Sequence, residues 1–148
     1  MADFSAIPWI AEHIELYRTD PEKAHMWDST PLGGPGVLPT LLLTTTGRKS
    51  GEARPLPLIY GEAGESFVVI ASKGGMPTHP VWFLNLEAKP ECELMVGPRA
   101  ISARARVAEG DERAKLWANM AKIYPPYDAY QKSAGERTIP VVVLDPVG

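Results

Sequence analysis

The residues Thr44-Thr45-Thr46-Gly47-Arg48-Lys49-Ser50-Gly51-Glu52-Ala53-Arg54 put three cations, two glycines and four hydroxyls into eleven positions. Glycine lets backbone N–H groups turn toward a common point, hydroxyls add donors, and Arg and Lys neutralise negative charge, Arg in a bidentate fork. This is the chemistry of an anion cradle for phosphate or carboxylate groups. A solvated hairpin turn has the same composition, and on this segment alone the two readings stand level. A Walker A loop is excluded, because the Gly-Lys-Ser/Thr ending and the helix after it are missing.

A second segment, Ala71-Ser72-Lys73-Gly74-Gly75, follows an apolar β-branched run. Paired glycines permit close backbone approach, and Ser72 and Lys73 offer donors suited to the carbonyls of a flat heteroaromatic ring. A tight strand-to-helix connection is the equally ranked alternative. His79 precedes Pro80, where a cap or hydrogen-bonded core role outranks that of a catalytic acid. Trp82 and Asn85 share a helix face and either line a pocket or pack. Tyr124, Tyr127 and Tyr130 recur every three residues, which in a helical segment makes a ridge with polar tips able to clamp a flat substrate, although core packing explains most aromatic stripes. His13, His25 and His79 are too scattered for a metal site, so no metal is expected.

The elements that must position these groups can be read from periodicity. Ile7, Ile10, Ile14 and Tyr17 predict an amphipathic helix over Phe4–Tyr17, whose acidic polar face favours docking on the core over membrane contact. The Gly/Pro-rich stretch Asp28–Pro39 predicts a loop, followed by strands at Thr40–Thr46 and Arg54–Tyr60, with Pro55 and Pro57 marking an edge. Gly61–Glu65 reads as a turn, and Phe67–Ala71 as a central strand buried on both faces. Pro80–Ala88 predicts a short buried helix. Glu91–Val96 and Ile101–Val107 predict a solvent-facing hairpin with glutamates opposite arginines. A helix capped by Asp111 should run to Ile123, and a last strand should span Thr138–Leu144. Six strands and three helices, mostly joined by short turns, favour an α+β fold built on an antiparallel barrel with flanking helices.

At 148 residues, with 45% hydrophobic and 22% charged residues, the chain suits one ordinary domain, with residues 1–35 forming an N-terminal helix and loop of the same domain as residues 36–148. A net charge of −3 and basic residues confined to one turn disfavour nucleic acid. The single cysteine, Cys92, rules out an internal disulfide and sits in an alternating apolar stretch, as a buried small hydrophobe would. No leader pattern or run of ~20 apolar residues is visible, so a cytoplasmic protein is expected, touching membranes only at the periphery.

Together, Thr-Thr-Gly-Arg-Lys-Ser-Gly with Arg54, Ala-Ser-Lys-Gly-Gly, His79-Pro80, Trp82, Asn85-Leu86 and the late tyrosines resemble the deazaflavin-dependent nitroreductase family of F420H(2)-dependent quinone reductase-like proteins, from about Leu38 to Val143. The resemblance implies a split β-barrel and coenzyme F420, an 8-hydroxy-5-deazaflavin with a phosphate and polyglutamate tail. It assigns Arg48, Lys49 and Arg54 to phosphate and tail carboxylates, with Gly47, Ser50, Gly51 and Pro55 completing the cradle. Ala71, Ser72, Lys73, Gly74 and Gly75 would lie beside the ring, with His79, Trp82 and Asn85 supporting the cofactor. Ser72, Tyr124, Tyr127 and Tyr130 would face the substrate, and Tyr127 and Ser72 would contact or protonate it. The implied reaction is hydride transfer to a quinone, enone or nitroaromatic by a monomer or weak homodimer. The rival readings are a non-catalytic deazaflavin carrier and an FMN-binding split-barrel protein.

Overall fold

The computed structural model describes residues 8–30 and 34–147. In chain order the elements are α1 (Pro8–Thr19), α2 (Pro21–His25), β1 (Met26–Asp28), β2 (Val37–Thr46), β3 (Ala53–Ile59), β4 (Gly61–Ala63) and β5 (Ser66–Ile70). A 3₁₀ turn (Lys73–Gly75), α3 (Val81–Ala88), β6 (Glu91–Val96), β7 (Arg99–Val107), α4 (Gly110–Ile123), α5 (Pro126–Ser133) and β8 (Val141–Pro146) follow. The strands form one curled antiparallel sheet in the order β1-β2-β6-β7-β8-β5-β4, with β3 paired to β2. This is the expected half-barrel with helices at its side.

Two strands carry the core. Along β5, Phe67 and Val69 enter the cluster filling the curl, with Leu41, Leu43, Leu94 and the α3 residues Trp82, Phe83 and Leu86. Val68 and Ile70 enter a second cluster, against Leu116, Met120 and Tyr127. Along β8, Val142 and Leu144 join the first cluster, Val141 and Val143 the second. Alternate side chains of a strand point to opposite faces, so a continuous apolar run belongs where both faces are covered. A third cluster seats Ile10, Ile14 and Tyr17 of α1 against Leu42.

Several expectations need correction. Eight strands and five α-helices are present among the described residues, rather than six and three, because β1 and β4 are three-residue strands too short to show a period. Residues Phe4–Ile7 lie outside the described residues, and α1 continues to Thr19. The β2 strand begins at Val37, inside the stretch read as loop, because Val37–Pro39 pair with β1. The β5 strand is not central in order; it lies between β8 and the short β4, and α4 supplies its second cover. The β6–β7 hairpin has the expected single solvent face, and it lies inside the sheet, flanked by β2 and β8. There Glu91 pairs with Arg104 at 2.8 Å, but Glu93 meets Ser102. Asp111 does not cap α4: Glu109 holds the cap position without a side-chain bond, and Asp111 lies in the first turn, where its charge suits the helix dipole. Pro55 and Pro57 do lie on β3, whose ladder is with β2 alone.

Candidate functional site

The β2–β3 turn is closed largely by its own amides. Gly47 N–H donates to the Glu52 carbonyl and Gly51 N–H to the Gly47 carbonyl, both at 2.8 Å. Glu52 N–H donates to Ser50 Oγ at 3.2 Å, and Arg48 N–H to Asn85 Oδ1 at 3.1 Å. Gly51 adopts φ +74°, a conformation other residues reach only with strain. Four amides are thereby spent, so an anion at this turn meets side chains first, a departure from the amide-lined cradle expected from the glycines. Arg48 and Lys49 are exposed, and neither has an ion-pair partner among the described residues. Arg54 lies 3.4 Å from Glu52 and donates to Ser50 Oγ at 3.4 Å. Arg54 and Pro55 also border a hollow of about 350 Å³ between α1 and β3.

Asn85 is 2% exposed. Besides accepting from Arg48 N–H, it donates from Nδ2 to Thr45 Oγ1 at 3.1 Å. It thus fastens the turn to α3, the helix that directly follows the glycine loop. Trp82 is buried in the main core cluster, and its indole meets Phe83 edge to face.

Arg137, which the sequence reading overlooked, holds the glycine loop. Its guanidinium donates to the carbonyls of Ala71 (3.0 Å), Ser72 (2.7 Å) and Met76 (2.9 and 2.7 Å), and to His79 Nδ1 at 3.2 Å. His79 Nδ1 must therefore be unprotonated. Burial, then the Arg137 cation, lowers its pKa, while the ring leans on Phe83 at 4.9 Å. His79 is half-buried and hydrogen-bonded to the residue that holds the loop. Within the loop Lys73 takes φ +47°, alone among the described non-glycine residues in being left-handed, and its Nζ donates to Thr78 Oγ1 at 3.0 Å. Gly75 has φ +79°, and a Cβ there would stand 2.8 Å from the Tyr130 Cα and carbonyl oxygen. The loop and α5 are in backbone contact only because residue 75 is glycine.

Beside this junction lies a cavity of about 260 Å³, mostly apolar in its lining. Ser72 and all three tyrosines border it, together with Pro57, Leu58, Ile59 and Ile70 of the sheet. The remaining wall is Thr40 of β2 with His13 and Trp27, which come from α1 and β1, elements whose part in the site carries no sequence signature. The tyrosines do not lie on a single helix: Tyr124 ends α4, and Tyr127 and Tyr130 belong to α5. Their rings pack edge to face, and the hydroxyls of Tyr124 and Tyr130 share a hydrogen bond of 2.9 Å. Burial pushes the phenols of Tyr124 and Tyr127 well above the ordinary tyrosine value, so both stay protonated at neutral pH. Among the described residues the Tyr127 and Ser72 hydroxyls have no side-chain hydrogen-bond partner, yet no fully buried side-chain N or O atom lacks one. Both residues border the cavity.

No group of His, Cys, Asp and Glu among the described residues could hold a metal ion, and no helix there is long and apolar enough to cross a membrane. The expected residues fall into two sets, the cationic turn and the cavity wall, joined through α3 and the clamped loop.

A family model described as F420H(2)-dependent quinone reductase matches residues 16–146. An F420H(2)-dependent quinone reductase of Mycobacterium tuberculosis strain H37Rv is 40% identical over 116 residues, covering 74% of this chain and 75% of that one. The solved structure of an F420-H2 dependent reductase, FDR-A, superposes with a TM-score of 0.67 at 39% identity, covering 72% of this chain and 93% of its own. Another, described as a domain-swapped dimer, reaches 0.70 at 34% identity and covers 93% of this chain and 98% of its own. The resemblance drawn from the two loops and the tyrosines is thus confirmed and extends upstream of Leu38, and the chain belongs to the F420H(2)-dependent quinone reductase family of oxidoreductases.

Proposed function

We propose that this enzyme reduces quinones, and by the same chemistry enones or nitroaromatics, in the 260 Å³ cavity between Ser72 and the three tyrosines. The observation that carries the reading is the Tyr127 hydroxyl, protonated and without a hydrogen-bond partner among the described residues, on the wall of a mostly apolar cavity beside the clamped loop. The residues fit the cofactor: the exposed Arg48 and Lys49, with Ser50 and Arg54, match a phosphate and carboxylate tail, and Ser72 with the Lys73–Gly75 turn offers a polar edge to its ring. Bound reduced F420 supplies a hydride.

The chain's own part is to place, shield and stabilise. A quinone takes up one hydride and one proton to become a hydroquinone, and negative charge develops on the oxygen conjugated to the attacked carbon. Tyr127 and Ser72 donate hydrogen bonds to that oxygen. Because burial raises the phenol of Tyr127, it serves as a hydrogen-bond donor and is a poor proton source, so the proton comes from solvent. In this reading residues 1–35 and 36–148 act as one domain, since His13 and Trp27 complete the cavity built by later elements. The enzyme works in the cytoplasm as a monomer or weak homodimer.

Fluorescence titration of F420, repeated with FMN, followed by mixing the reduced deazaflavin with menadione, tests the reading. Saturable F420 binding with quinone-dependent reoxidation is expected, and Lys49→Ala should weaken binding about tenfold. Binding without turnover on quinones, enones or nitroaromatics would refute it in favour of a carrier, and binding of FMN alone would refute the cofactor assignment.

A further inference from the structure

His13 lies on α1 and lines the cavity together with Ser72 and the tyrosines. His13 is 7% exposed, and its imidazole stacks with Tyr17, at 5.8 Å, and with Trp27, at 6.2 Å. Nε2 lies 2.8 Å from the Ala24 carbonyl oxygen, which can only accept, so Nε2 carries the hydrogen. Thr40 Oγ1, 3.3 Å from Nε2, itself donates to the Ala24 carbonyl at 2.9 Å. The ring is thereby held in one orientation and one tautomer, with Nδ1 as a bare lone pair.

Nδ1 has no hydrogen-bond partner among the described residues, and no fully buried side-chain nitrogen or oxygen there is left without one. Nδ1 must therefore keep an opening, and the cavity that His13 borders provides it. A side chain more than nine-tenths buried thus offers one unspent acceptor, beside Trp27 and Thr40, whose hydroxyl is spent on the Ala24 carbonyl. The free hydroxyls of Ser72 and Tyr127 belong to other elements of the same wall.

We propose that His13 Nδ1 is a specificity-determining acceptor that recognises a hydroxyl group on a flat aromatic ligand. It favours phenolic rings and hydroquinone products over fully etherified or unsubstituted rings of the same shape. The proposal rests on the reading of this cavity as the substrate pocket. No proton is transferred: His13 accepts one hydrogen bond from ligand O–H, and Nε2–H stays on the Ala24 carbonyl. A neutral hydrogen bond of this kind corresponds to a preference of about five- to tenfold.

The test compares 4-methoxy-1-naphthol with 1,4-dimethoxynaphthalene, which differ by one methyl group on oxygen, by equilibrium dialysis against the full chain. The wild type should bind the naphthol about five- to tenfold more tightly. In His13→Gln the amide nitrogen takes the place of Nε2 at the Ala24 carbonyl but nothing replaces Nδ1, so the ratio should fall to about one while diether affinity holds. His13→Asn, whose amide oxygen stands where Nδ1 was, should restore part of the ratio. ¹⁵N-histidine NMR of the unmutated protein gives a second measurement: the His13 Nδ1 resonance should move with the naphthol and not with the diether. Equal binding of both ligands by the wild type, a ratio unchanged in His13→Gln, or an Nδ1 resonance unmoved by the naphthol would each overturn the proposal. Menadione reduction separates the two claims: turnover without hydroxyl preference refutes the His13 assignment alone, and preference without turnover refutes the quinone reductase reading alone.

Discussion

Replacing Arg137 should damage stability and catalysis together, although the side chain borders neither the cavity nor the cationic turn. Its guanidinium donates to three loop carbonyls and to His79 Nδ1. Charge-assisted hydrogen bonds contribute about 1.5–3 kcal/mol each when removed singly, but these act as one unit and do not add. The exposed Met76 carbonyl will find water. Ala71 is fully buried, so its carbonyl loses a partner at a cost of about 1–3 kcal/mol. Arg137→Met should therefore cost about 3 kcal/mol in all, and lower the melting temperature of a chain of this size by about 6–12 °C. Arg137→Lys, able to reach only one or two of the carbonyls, should lose about half as much. At a temperature where all variants are folded, turnover with menadione should drop about 10–100-fold in Arg137→Met, the scale expected when a positioning loop moves by an ångström. A melting temperature within 2 °C of wild type together with unchanged kcat would show that the loop holds its shape without the clamp, and the reasoning would be wrong.

Three further outcomes are expected. Gly75→Ala adds a Cβ 2.8 Å from the Tyr130 backbone at φ +79°, so it should cost about 2–4 kcal/mol and raise KM for quinones by displacing α5, as measured by thermal melts and steady-state kinetics. Asn85→Ala strips a partner from the Arg48 amide and from the buried Thr45 hydroxyl, so it should cost about 2–3 kcal/mol and weaken F420 binding in the same titration used for Lys49. The Cys92 thiol is pushed by burial from an ordinary value of 9 up to about 12, so the unfolded chain ionises first and stability is lost as pH rises above 9. At pH 10 this loss is about 1.4 kcal/mol, and urea midpoints measured between pH 8 and 10 should show the wild type losing that much more stability than Cys92→Ala, in which the raised tyrosines still contribute.

Where a residue acts through its own chemistry, it was legible in the sequence. Cations clustered in a turn, paired glycines and tyrosines at spacing three mark themselves by type, and the two-faced strands β5 and β8 show as unbroken β-branched runs. The invisible parts work through the backbone or through distant packing. Arg137 addresses carbonyls, which every residue has, so no partner pattern announces it. His13 and Trp27 reach the cavity because α1 docks on β3 and β1 pairs with β2, contacts that no local periodicity records. Asn85 was singled out for the right helix face, but its observed bonds go to the turn. The β1 strand, just ahead of the Gly/Pro stretch, left no signal because three residues cannot establish a period of two.

The cavity's two walls have different dependencies. Ser72 and Tyr130 are tied to one loop by the Arg137 clamp and the Gly75 contact, so a change in either disturbs the junction of loop and α5. His13 and Trp27 stand on α1 and β1, and neither takes part in the clamp or the cationic turn. The architecture is therefore modular for evolution and for engineering. Substitutions confined to His13 and Trp27 are the ones expected to change which rings enter the cavity with least effect on the clamped loop.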